Sequence, residues 1–135
     1  MTDPIQPHWV LDTGALLACT SADESMGRFL ADLADVGAVA AVPDLCTMEA
    51  FARLHHDEFA VLEVLLTHPV IRPFPASATT NLPDLPFIGG MAKTAGRLGA
   101  GHAAFVAMTG RAGVWTSTPD QIRLLLGDDW PIVQV

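Results

Sequence analysis

Apolar and polar positions along this chain switch between short continuous apolar runs and longer stretches with helical spacing. The short runs fall at residues 8–11, 38–42, 70–72, 113–116 and 131–135; each predicts a strand, and the first two read as buried. Residues 26–36 set Met26, Phe29, Leu30, Leu33 and Ala34 on one helix face. Asp23 and Glu24 stand at the start of that helix, where its dipole favours acids, and Gly37 ends it. Residues 14–19 predict a helical turn leaving the first strand. Pro43 opens a helix running to about residue 54, because proline suits a first helical turn. A further helix is expected over 57–66, closed by His68-Pro69, and the proline-rich segment 73–86 reads as loop. Helices over 90–98 and 101–109 are expected to be separated by a Gly99-Ala100-Gly101 break. Residues 119–126 predict a last helix, with Thr118 as its N-cap.

Strands alternating with helices imply an α/β fold, a parallel sheet covered by helices on both faces. Ligands of such sheets bind beyond the carboxyl ends of the strands. Asp12 ends the first strand, Thr116 to Thr118 end the fourth, and Glu49 lies about two turns into the helix after the second. The chain order therefore lets all three meet at one edge.

With 135 residues, half of them hydrophobic and 16% charged, the chain suits one domain over 1–135 with a sizeable core. No apolar run approaches the roughly 20 residues a bilayer span needs, and no signal peptide is read, so a cytoplasmic protein without a membrane partner is expected. Cys19 and Cys46 have no metal-ligand spacing and read as small buried apolar residues. Fifteen acids against seven bases give a net charge of −8, and the bases are scattered. That opposes tight nucleic-acid binding, whose affinity comes from Lys and Arg on phosphates. It does not oppose a substrate bridged by a divalent ion, which inverts local charge.

Several candidate groups carry a structural reading beside the chemical one. Asp12 can ligate a metal or hold the turn after its strand. Glu49 can ligate a metal or pair with Arg53 one turn on. Thr116 and Thr118 can orient water or phosphate, or hydrogen-bond within their loop. Asp120 and Asp44 read chiefly as acids favoured at helix starts. His102, alone in an apolar helix, reads as a core histidine rather than a base or ligand. His55-His56-Asp57-Glu58 are adjacent, so their side chains fan around a helix rather than converge. There is no Gly-rich phosphate loop, nucleophile elbow or zinc signature.

Three segments together resemble the PIN domain, in particular the VapC-type toxins of bacterial toxin–antitoxin pairs. They are Val10-Leu11-Asp12-Thr13-Gly14-Ala15-Leu16-Leu17, then Ala41-Val42-Pro43 leading to Glu49-Ala50, then His102-Ala103-Ala104 with Val114-Trp115-Thr116-Ser117-Thr118-Pro119. The resemblance spans nearly the whole chain. It implies a three-layer α/β/α fold with a central parallel sheet of about five strands. It also implies a Mg²⁺- or Mn²⁺-dependent ribonuclease site of three or four acids. Asp12 and Glu49 match the first two; the other two positions hold Ala100 and Thr118.

Metal-assisted phosphodiester hydrolysis needs an ion to activate water and stabilise the transferring phosphoryl group. Mg²⁺ takes octahedral oxygen ligands and keeps several waters, so Asp12 and Glu49 suffice for one weakly held ion and not for two. The expectation is a VapC-lineage protein with a depleted carboxylate site and weak or lost catalysis. Two alternatives stay open: a one-metal single-strand RNA endonuclease using Asp12 and Glu49, with Thr116 and Thr118 placing phosphate, or a non-catalytic protein-binding module. The resemblance further implies an antitoxin or other protein partner and a homodimer, with RNA as a partner only if the site is active.

Overall fold

A computed structural model of the chain describes residues 8–76 and 84–135. Five strands, β1 (Trp9–Leu11), β2 (Ala40–Pro43), β3 (Ile71–Phe74), β4 (Gly113–Thr116) and β5 (Ile132–Gln134), form one sheet in the order β3-β2-β1-β4-β5. Every pairing is parallel, and β1 lies between β2 and β4, with Trp9 opposite both Ala40 and Gly113. Val10, Leu11 and all of β2 are buried. Successive strand residues point to opposite faces, so burial of consecutive residues means that both faces are covered. That coverage is the α/β/α layering, and it explains why these strands read as continuous apolar runs rather than alternating ones.

Among the described residues, seven helices supply the cover: α1 (Thr13–Thr20), α2 (Glu24–Val36), α3 (Asp44–Arg53), α4 (Phe59–Leu66), α5 (Asp84–Ala95), α6 (Leu98–Gly110) and α7 (Pro119–Leu126). In α2, Asp23 caps the start by accepting from Met26 N at 3.1 Å, and Gly37 closes the end at φ 69°. Met26 and Leu33 are buried, with Phe29 and Leu30 packed against the core, whereas Ala34 is exposed. Helix α6 is buried on nearly all sides from Gly99 to Ala107, as expected of a helix apolar all round. Among the described residues, no helix is long and apolar enough to cross a membrane.

Four local expectations change. The 57–66 helix is split: a 3-10 turn spans His56–Glu58, and α4 begins at Phe59. Glu58 caps that turn by accepting from His55 N at 3.1 Å, and His55 through Glu58 are exposed. Strand β3 runs on through Pro73, which an edge strand tolerates because it needs no further ladder donor. The 73–86 loop is also shorter at its other end, because α5 starts at Asp84 with Pro86 in its first turn, where the missing N–H costs nothing. Its middle, 77–83, lies outside the described residues.

The fourth change bears on the site. The helix break falls at Gly96, whose φ of 86° is left-handed, and Gly99-Ala100-Gly101 form the first turn of α6. Those glycines serve close approach instead of interruption. A Cβ on Gly101 would overlap the backbone of Ala92 in α5, and one on Gly99 would overlap the Glu49 carboxylate.

Candidate functional site

The sheet order places the crossover at its centre. From β1 the chain proceeds outward through β2 and β3, then returns to β4 on the other side. The carboxyl ends of β1 and β4 therefore flank the point where such sheets bind ligands. Asp12 follows β1 directly, and its backbone N–H donates to Trp115 O at 3.2 Å, tying the two strand ends together.

Asp12 is wholly buried and is the N-cap of α1, its Oδ1 accepting from Ala15 N at 3.1 Å. Its Oδ2 is buried with no hydrogen-bond partner; a guanidinium nitrogen of Arg97 stands 4.0 Å away. Burial raises the carboxyl above its ordinary value, against the opposing pull of the Thr116 hydroxyl, the Ala15 amide and Arg97.

Glu49 reaches from α3 to the start of α6. Its Oε1 accepts from the Thr13 hydroxyl at 2.8 Å and from Arg97 Nη1 at 2.5 Å, and its Oε2 accepts from Gly99 N at 2.9 Å. Desolvation is the largest single influence and pushes this carboxyl up. The Gly99 amide, the Thr13 hydroxyl and Arg97 together outweigh it and hold Glu49 below its ordinary value. The absence of a side chain at Gly99 makes room for this arrangement. The Arg53 pairing open to Glu49 by helix spacing is not the one formed: Arg53 is exposed, and the carboxylate turns inward to Arg97.

Arg97 is the N-cap residue of α6, in extended conformation at φ −154° and ψ 134°. Its Nε donates to Gln121 Oε1 at 3.3 Å, and its Nη2 donates to the same atom at 3.1 Å and to Thr118 Oγ1 at 3.2 Å. Its Nη1 donates to Glu49 and to Thr13 Oγ1 at 3.1 Å. A guanidinium has five N–H donors, so these five bonds use its whole capacity. The side chain is 16% exposed. It joins α1, α3 and α7 to the loop after β4.

The sequence-derived candidates thus divide. Asp12, Glu49, Thr116 and Thr118 come together around Arg97; Thr118 N donates to Thr116 Oγ1 at 2.9 Å, and their hydroxyls lie 3.3 Å apart. Thr118 occupies the N-cap position of α7 but makes no capping bond, because its hydroxyl serves Arg97 and Thr116. Asp120 is fully exposed and pairs with Arg123 at 3.6 Å, away from the cluster. Asp44 lies in the first turn of α3, its carboxyl raised by burial. Ala100 is wholly buried in the apolar core.

His102 is also buried, and its Nδ1 accepts from Leu45 N at 3.2 Å. Pro43 provides no side-chain cap for α3, so the histidine satisfies one of that helix's free amides. Burial lowers the imidazole from 6.5 to about 4, with the Pro75 carbonyl opposing. Cys46 is buried with its Sγ 3.1 Å from Gly99 O, and burial raises its thiol; Cys19 is partly buried and raised to about 11 by burial.

Sequence reasoning missed Arg97, Thr13 and Gln121. Arg97 stood among the scattered bases, and its place beside Gly96 at the head of an apolar helix was the available signal. Its partners lie 21 to 84 residues away, a distance no local spacing rule spans.

The donor set does not fit a catalytic Mg²⁺ or Mn²⁺ ion as arranged. Both Glu49 oxygens and Asp12 Oδ1 are engaged, leaving Asp12 Oδ2 beside a fixed positive charge. Among the described residues, no three His, Cys, Asp or Glu side chains are grouped so that they could hold a metal ion.

No family model matches the chain, and no curated protein matches it in sequence. Solved structures do. A chain of the crystal structure of VapBC2 from Rickettsia felis, bound to a DNA fragment from their promoter, superposes with a TM-score of 0.64 at 14% identity. The match covers 94% of this chain and 98% of that one. This similarity establishes a shared PIN-like fold.

Proposed function

We propose that this chain is a PIN-like protein of VapC-type ribonuclease lineage in which metal-dependent RNA cleavage is weak or lost, and which acts by binding another protein. The observation that carries this reading is the pairing of its two converging acids with Arg97. Where the resemblance calls for further acids, the chain has Ala100 in the core and Thr118 hydrogen-bonded to that same arginine. The net charge of −8 also opposes RNA affinity without an ion to bridge phosphate. The partner best supported is a VapB-like antitoxin, because the similar chain belongs to a VapBC2 complex on promoter DNA.

One observation favours a second reading, a single-ion endoribonuclease: the free, buried Oδ2 of Asp12. The two readings separate in one experiment. Purified protein is incubated with single-stranded RNA in millimolar Mn²⁺ or Mg²⁺, beside Asp12→Asn. No cleavage above the Asp12→Asn background is expected. Cleavage that Asp12→Asn abolishes would replace the binding-module reading with the nuclease one.

A further inference from the structure

We infer that the Arg97 guanidinium is the resident cation of this pocket, and that removing it exposes a divalent-cation site formed by Asp12 and Glu49. This rests on the functional reading above and adds what keeps metal out. Two carboxylates converge where the strand ends meet, and one is wholly buried. Buried carboxylates stay charged only beside compensating charge and hydrogen bonds. Arg97 supplies both, since one of its nitrogens bonds Glu49 and another stands 4.0 Å from Asp12.

Its placement is also built rather than incidental. Gln121 and Thr118 hold the far side of the guanidinium, and neither is an acid. The arginine is therefore fixed by neutral groups on one side and neutralises acids on the other. A hydrated ion cannot share that volume, and its charge would be repelled at contact distance. Without the guanidinium, Asp12 Oδ2, which has no hydrogen bond, loses the charge beside it, and Glu49 Oε1 keeps only its bond from the Thr13 hydroxyl, with the Thr118 hydroxyl also beside the vacated space. Hard oxygen donors of this kind suit Mn²⁺ and Mg²⁺.

The test is Mn²⁺ titration followed by loss of the free-ion paramagnetic resonance signal, with circular dichroism as the check on folding. Arg97→Ala is expected to bind Mn²⁺ at least about tenfold more tightly than wild type, a decade being about 1.4 kcal/mol. Arg97→Lys keeps a cation in place and should gain nothing, and adding Asp12→Asn to Arg97→Ala should abolish the gain. A folded Arg97→Ala that binds no better than wild type overturns the inference, as does an equal gain in Arg97→Lys. If Arg97→Ala does not fold, Arg97→Gln replaces it, with the same two outcomes. Failure of these variants to gain Mn²⁺ leaves the functional reading intact. Wild-type RNA cleavage sinks that reading whatever the variants do.

Discussion

Replacing His102 with asparagine should remove much of the stability that the chain loses between about pH 7 and about pH 4.5. His102 is 1% exposed, and its Nδ1 accepts the Leu45 amide, so the folded chain holds the imidazole neutral. Burial takes it from 6.5 to about 4. In the unfolded chain the same ring protonates near its ordinary value. Stability from the neutral ring is thus complete above about pH 6.5 and is lost as the pH falls toward 4, because the unfolded state binds the proton first. At about 1.4 kcal/mol per decade the ceiling is roughly 3 kcal/mol, and about 2 kcal/mol of it is spent by pH 4.5. Asparagine retains an acceptor near Nδ1 and cannot protonate. Urea unfolding at the two pH values, wild type against His102→Asn, isolates this contribution from the carboxylates, which titrate alike in both. Parallel curves would refute the argument, as would an NMR titration placing His102 near 6.5. Either result would also reopen His102 as an available acid or base.

The two site acids should respond oppositely to neutralisation. Glu49 is held low, so its stabilisation is present above its ordinary range and is lost as pH falls through its depressed folded value. At neutral pH, Glu49→Gln should cost about 2 kcal/mol in chemical unfolding, the range for hydrogen bonds to a charged group. Asp12 is raised by burial, so its charge is a cost at neutral pH that acid relieves. Asp12→Asn keeps the cap on Ala15 and should change stability by less than about 1 kcal/mol; a greater loss than for Glu49→Gln would show that the two environments have been misassigned. Gly99→Ala should lower stability by about 1–3 kcal/mol, because its Cβ meets the Glu49 carboxylate and the Thr13 hydroxyl; an unchanged thermal midpoint would refute that close approach. Arg97→Lys keeps the charge but loses the planar fork that serves five bonds, and should cost about 1–3 kcal/mol in urea unfolding. Wild-type stability in that variant would mean that charge alone matters there.

Much of the scaffold was legible because it rests on local rules. The five apolar runs became the five strands, and in β1 and β2 the continuity of the run matches burial on both faces, whereas the edge strands β3 and β5 are largely unburied. Asp23 and Gly37 bounded α2 as capping chemistry predicts. The site was legible in part. Asp12, Glu49, Thr116 and Thr118 were identified as a group that chain order lets meet, and they do meet around one guanidinium. The glycines of 99–101 misled, because a glycine that breaks a helix and one that admits a neighbour look identical in sequence.

By itself, the sequence determined the alternation of strand and helix, the acids at two strand-proximal positions, and the lack of acids at 100 and 118. These follow from residue periodicity and identity, which are properties of neighbours along the chain. Only the tertiary structure decided what neutralises the acids. Helix spacing offered Arg53 to Glu49, yet the partner is Arg97, 48 residues away. The choice is made by burial: a carboxylate drawn into the crossover needs a cation there, and the helix α6 start brings Arg97 to that point while Arg53 stays in water.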